Sequence, residues 1–122
     1  MKPAFGGFLL LIMTLVACNA SYKNVTVQDL AKATESQSLV IDVRQANEYA
    51  QGHVPGAILM PLDKLESRLS ELPTEEPIYV ICRSGNRSQQ ASEILMKKGF
   101  KDIRNVQGGT LAWLEAGYAV EH

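Results

Sequence analysis

The chain has 122 residues and a mass of 13.4 kDa, a length that fits one domain. Hydrophobic residues make up 46% and charged residues 20%, enough apolar material for a core and too little charge for wholesale disorder. Twelve Lys and Arg against thirteen Asp and Glu leave no basic excess to hold a nucleic-acid backbone, and two cysteines form neither a disulfide framework nor a four-thiolate zinc site.

The chain opens with a segment set apart from the rest. Lys2 is its one charged side chain, and Phe5 to Ala17 runs without a charge. That run is shorter than the roughly 20 residues of a spanning helix and suits the core of a secretory signal. The alternative, a buried first helix with a core cysteine, would carry a polar face, and this run has none. The segment ends in Leu15-Val16-Ala17-Cys18, which resembles the bacterial lipoprotein signal, where the chain is cut before the cysteine and its sulfur carries a diacylglycerol. The resemblance implies a signal peptide over 1–17, a lipidated Cys18 with a short polar tether over 18–24, and a domain over 25–122. Asn19 is not the aspartate that retains similar enteric lipoproteins at the inner membrane, so the expected anchor is the outer membrane, facing the periplasm, in a Gram-negative host. With Cys18 acylated, Cys82 is the only free thiol, a liability in an oxidising compartment unless it is buried or used.

Beyond the tether, Thr26-Val27-Gln28-Asp29 has the form of a capping box, and Val27, Leu30 and Ala31 give the following helix one apolar face. Leu39-Val40-Ile41 reads as a strand buried on both sides. Gln45 to Gln51 reads as a short helix stopped by Gly52, Pro55-Gly56 as a turn, and Ile58-Leu59-Met60 as a second strand. Leu62, Leu65, Leu69 and Leu72 recur at helical spacing up to Pro73. Ile78 to Ile81 is a third apolar strand, and Ser88 to Lys98 a helix with Ala91, Ile94 and Leu95 on its apolar face and Gly99 as its cap. Ile103 to Val106 gives a fourth strand, and Gly108-Gly109 opens a last helix through Trp113 to Gly117. Strands alternating with helices predict an α/β domain, an open parallel sheet with helices on both faces.

Ligands of such sheets bind beyond the carboxyl ends of the strands, where Cys82 stands. It is followed by Arg83-Ser84-Gly85-Asn86-Arg87-Ser88 and then a helix. N–H groups of a tight loop converge into an anion-binding nest, a helix N-terminus adds partial positive charge, and Gly85 allows the sharp turn. The guanidiniums of Arg83 and Arg87 are expected to add cationic charge and to lower the Cys82 pKa with the helix terminus, making a thiolate nucleophile with no histidine base beside it in sequence. The alternative is a small core residue at a strand end.

Cys82-Arg83-Ser84-Gly85-Asn86-Arg87-Ser88 resembles the active-site loop of the rhodanese-type sulfurtransferases. Asp42-Val43-Arg44, Glu48-Tyr49, Gly52-His53-Val54-Pro55-Gly56-Ala57, and Gly108-Gly109 before Trp113 match the family pattern in order. The likeness covers roughly residues 25–120, and several ordered motifs together are far more specific than any one of them. It implies the rhodanese-like fold and ping-pong transfer of sulfane sulfur through a Cys82 persulfide, from a donor such as thiosulfate to cyanide or a thiol. Arg83 to Ser88 would bind the anionic substrate, with Arg83 attracting the donor and Arg87 either doing likewise or tying the loop to a carboxylate. The six-residue Cys82–Arg87 loop favours sulfur transfer over the Cys-dependent phosphatases and arsenate reductases, whose related loop is one residue longer. A binding, redox-sensing or sulfur-carrier module acting on a partner-protein thiol is the reading from a different class.

The supporting residues have plainer expectations. Asp42 and Arg44 are read as an ion pair or as substrate contacts near the loop, and Glu48 as the partner of an arginine. His53 is read as a hydrogen-bonded structural histidine and Trp113 as core. No metal-ligand spacing occurs, and the reading calls for no cofactor. The family's proline after the last glycine is absent from Gly117-Tyr118-Ala119, which predicts a looser C-terminal segment.

Overall fold

Among the described residues, five short strands assemble into one parallel sheet. The computed structural model describes residues 21–122, so the expected signal peptide and lipidated Cys18 lie outside the described residues. Strands β1 (Lys23–Val25), β2 (Leu39–Asp42), β3 (Ile58–Leu59), β4 (Ile78–Ile81) and β5 (Ile103–Val106) lie in the order β1-β5-β4-β2-β3, with every pair parallel. They are linked by α1 (Val27–Glu35), α2 (Ala46–Gln51), a 3-10 segment (Leu62–Glu71), α3 (Asn86–Lys97) and α4 (Gly109–Glu115).

Alternation along the buried strands sends successive side chains to opposite faces. Ile41, Val43, Ile78, Val80 and Ile103 meet Leu65 of the 3-10 segment and Ala91 and Leu95 of α3 on one face. Val40, Tyr79, Ile81 and Val106 meet Val27 and Leu30 of α1 and Trp113 of α4 on the other. The expected open sheet with helices on both faces is the one found.

Three elements differ from expectation. Lys23–Val25, read as the end of a tether and the start of the domain, forms the edge strand β1 by pairing with Arg104–Val106. The leucine-spaced helix is a 3-10 segment, its turns closed by i to i+3 bonds such as Lys64 N–H to Pro61 O at 2.8 Å and Leu72 N–H to Leu69 O at 3.1 Å. Helix α3 begins at Asn86 rather than Ser88, because Gly85 at φ +111° turns the chain straight from the loop into the helix.

The path from β2 runs outward to β3 and then back across to β4, so the strand order reverses between β2 and β4. That crevice, at the carboxyl ends of two paired central strands, is where open α/β sheets bind ligands. Asp42 is in register with Ile81, which brings Asp42-Val43-Arg44 beside Cys82.

Candidate active site

Cys82 follows β4 directly and is 1% exposed. Its Sγ accepts the Gly85 N–H at 3.1 Å and lies 3.3 Å from Ser88 Oγ, which in turn donates to the Gly85 carbonyl at 3.1 Å. Burial raises the thiol pKa, but the Ser88 hydroxyl and the N–H groups of Ser88, Gly85 and Ser84 outweigh it and hold the thiol below its ordinary value. As a thiolate, the sulfur faces these donors at the N-terminus of α3, an arrangement that favours an anion there before and after a sulfur atom is added.

The cradle is braced from behind by α4. Thr110 donates to the Cys82 carbonyl twice, from its N–H at 2.9 Å and its hydroxyl at 3.0 Å, and the Leu111 N–H donates to Arg83 O at 3.1 Å. Gly109, at φ +59°, lies so close that a Cβ there would meet the Cys82 and Arg83 carbonyl oxygens at 2.5 Å. Gly108-Gly109 was legible as a motif, but Thr110 carried no signal in the sequence, since nothing local links it to a residue 28 positions earlier.

The arginines refine the electrostatic expectation. Arg87 is bound to Glu48 in α2, a two-pronged pair with both N–H···O distances at 2.7 Å. This guanidinium and the Gln45 N–H, against the opposing effect of burial, lower the Glu48 carboxyl pKa to about 2. Arg83 is exposed and forms no ion pair among the described residues. The thiol is therefore acidified chiefly by loop N–H groups and one hydroxyl, and of the two guanidiniums Arg87 adds a smaller coulombic effect while it stays paired with Glu48. Asn86 is exposed at the start of α3, its amide oxygen 3.4 Å from the Gln90 amide nitrogen.

Asp42 and Arg44 form a buried ion pair, with Arg44 Nη2 to Asp42 Oδ2 at 2.7 Å and Nε to Oδ1 at 2.9 Å. The same Nη2 donates to the Gly52 carbonyl at 2.9 Å, so the pair bridges the end of β2 to the end of α2. Both residues adjoin the Cys82 loop, and their polar groups face each other.

His53 stacks flat on Tyr49, with ring centroids 3.5 Å apart, and its Nδ1–H donates to the Tyr49 carbonyl at 2.8 Å, a structural arrangement. Trp113 is buried and donates from Nε1 to the Ala119 carbonyl at 2.9 Å. The C-terminal segment, expected to be loose, is instead tied down. His53 and Glu121 exchange backbone hydrogen bonds at 2.9 Å, and Tyr118 packs on Trp113.

Residues 26–116 match the Rhodanese-like domain family. The chain belongs to that family. Thiosulfate sulfurtransferase GlpE of Shewanella oneidensis is 33% identical over 98 residues, a match covering 80% of this chain and 97% of that one. YrkF of Bacillus subtilis, named as a sulfur carrier protein, is 41% identical over 83 residues, which span 67% of this chain and only 45% of YrkF. The crystal structure of a rhodanese-related protein from Thermoplasma volcanium superposes with a TM-score of 0.75 at 32% identity, covering 82% of this chain and 98% of the other.

Proposed function

We propose that this rhodanese-like protein is a sulfurtransferase that carries sulfane sulfur on Cys82. The Cys82 thiolate attacks the outer sulfur of thiosulfate, a new S–S bond forms, the old one breaks, and sulfite leaves with the bonding pair. The resulting persulfide anion is then attacked at its outer sulfur by cyanide or a thiolate, which departs as thiocyanate or a new persulfide and returns the Cys82 thiolate. Charge and electrons balance at both steps without an external oxidant or a general base.

The convergence of Ser84, Gly85 and Ser88 donors on one buried sulfur carries this reading. Resting thiolate and persulfide are both monoanions, so one cradle serves both. A loop of six residues from Cys82 to Arg87, with Arg87 engaged by Glu48, fits one added sulfur about 2.05 Å from the first better than a tetrahedral phosphate. The name borne by GlpE supports thiosulfate as donor, and that of YrkF supports a protein thiol as acceptor. The reading extends to a periplasmic protein anchored by a lipid on Cys18, supported by Leu15-Val16-Ala17-Cys18 behind an uncharged run.

Intact mass of the detergent-extracted chain tests both parts. Brief exposure to thiosulfate is expected to add one sulfur atom, removable by cyanide as thiocyanate and absent from Cys82→Ser. The extracted chain is expected to begin at Cys18 with a diacylglycerol. Sulfur transfer by the serine variant overturns the first part, and an unlipidated chain overturns the second.

A further inference from the structure

Cyanide and thiosulfate are small hydrophilic anions, and neither has a use for apolar surface next to the Cys82 loop. Yet among the described residues Leu111 and Leu114 are two of three large hydrophobic side chains left exposed, at 44% and 51%. They lie one turn apart on α4 and, with Arg83, line a cavity of about 220 Å³ that also takes in Glu48, Gly52, Thr110 and others.

The charges around this cavity do not cancel. Arg44 is neutralised by Asp42 and Glu48 by Arg87, which leaves Arg83 as an uncompensated cation on the wall. Arg44, Arg68, Arg87 and Arg104 each pair with a carboxylate, and Arg83 alone among the described arginines has none. The lip is also held in fixed relation to the sulfur-bearing residue, because Thr110 and Leu111 hydrogen-bond the carbonyls of Cys82 and Arg83. Cys82 as a residue is 1% exposed, out of reach of a flat protein surface, so a macromolecular acceptor has to present its thiol on a slender arm.

Resting on the Cys82 persulfide reading, we propose that the Leu111–Leu114–Arg83 lip docks the sulfur acceptor, and that this acceptor is a cysteine in an extended segment of a partner protein. An apolar residue on one side of that cysteine covers the leucines, and a carboxylate on the other meets Arg83. The acceptor thiolate attacks the outer sulfur of the Cys82 persulfide, its S–S bond forms as the Cys82 bond breaks, and the Cys82 thiolate leaves.

Single-turnover loss of persulfide tests the proposal. The full chain is loaded with thiosulfate, sulfur on Cys82 is confirmed by mass, and decay is followed with cyanide, with glutathione, or with an acetylated peptide whose cysteine is flanked by leucine and aspartate. At equal thiolate concentration the peptide is expected to outrun glutathione. Replacing both leucines (Leu111→Ser with Leu114→Ser) is expected to slow the peptide about tenfold while cyanide stays within about twofold, with an unchanged melting temperature because both side chains are exposed. A peptide with lysine in place of aspartate is expected to be slower, by a margin that shrinks at high salt. A peptide rate indifferent to the leucines, or an equal fall for peptide and cyanide, overturns the docking lip while leaving the persulfide intact. A dimer that the serine pair dissolves overturns it in favour of self-association. Absence of sulfur on Cys82 overturns this proposal together with the function beneath it.

Discussion

Two neighbouring strand ends face the same crevice and are built to opposite purposes. At the end of β2, Asp42 and Arg44 face each other in a buried pair and Arg44 also reaches Gly52, so each charge is answered inside the protein. At the end of β4, in register with it, N–H groups and a hydroxyl converge on a single sulfur that has no ion-pair partner of its own. The same parallel ladder thus holds a closed polar unit beside a receptive one. The lesson is that charge at a strand end is no guide to reactivity. The ion-paired neighbour is closed on itself, and the end proposed to react is held chiefly by neutral dipoles.

Removing Asp42 breaks the closed side and strands the Arg44 guanidinium in the interior. Asp42→Ala is expected to cost about 3–5 kcal/mol in denaturant unfolding, with sulfur transfer per folded molecule falling much less. Gly109→Ala breaks the receptive side by pushing a methyl group into the Cys82 and Arg83 carbonyl oxygens at a positive φ. It is expected to cost about 2–3 kcal/mol and, unlike Asp42→Ala, to lower the persulfide formation rate of the molecules that remain folded.

The Glu48–Arg87 pair sharpens the comparison with the smallest effect. The Glu48 pKa is depressed from 4.5 to about 2, so its contribution is complete above about pH 4.5 and is lost as pH falls toward 2. Glu48→Gln is expected to unfold about 1–2 kcal/mol more easily than wild type at pH 6, with the gap closing near pH 2. Denaturant melts at stepped pH read this directly, and a gap constant with pH would mean that the pair does not act through its charge.

The parallel sheet was readable because β4 and most of β2 are continuous apolar runs, β5 begins and ends on β-branched residues, and the glycines between them mark turns. Strand β1 was not, since Lys23 and Asn24 are exposed on the sheet edge and show no periodic burial; their conformation comes from the partner strand 81 residues away. The leucines at 62, 65, 69 and 72 satisfy three- and four-residue steps alike, so spacing alone does not separate an α-helix from a 3-10 segment. At the site, the Cys82 loop was legible because nucleophile, glycine and helix start are contiguous. Which arginine is paired was not, because Arg87 is claimed by Glu48, 39 positions upstream. Thr110 was hidden for the same reason: its role arises only once α4 meets the loop.

The link between Thr110 and Cys82 has a consequence in time as well as in space. A chain delivered N-terminus first exposes its nucleophile before the helix that braces it is available, and the edge strand at Lys23 waits in the same way for Arg104. During that interval the thiol belongs to an unfinished fold whose loop lacks the brace from Thr110. Contacts of such long sequence separation form slowly. Completion of the site is thus a late event in folding, set by the arrival of its last helix rather than by the residue at its centre.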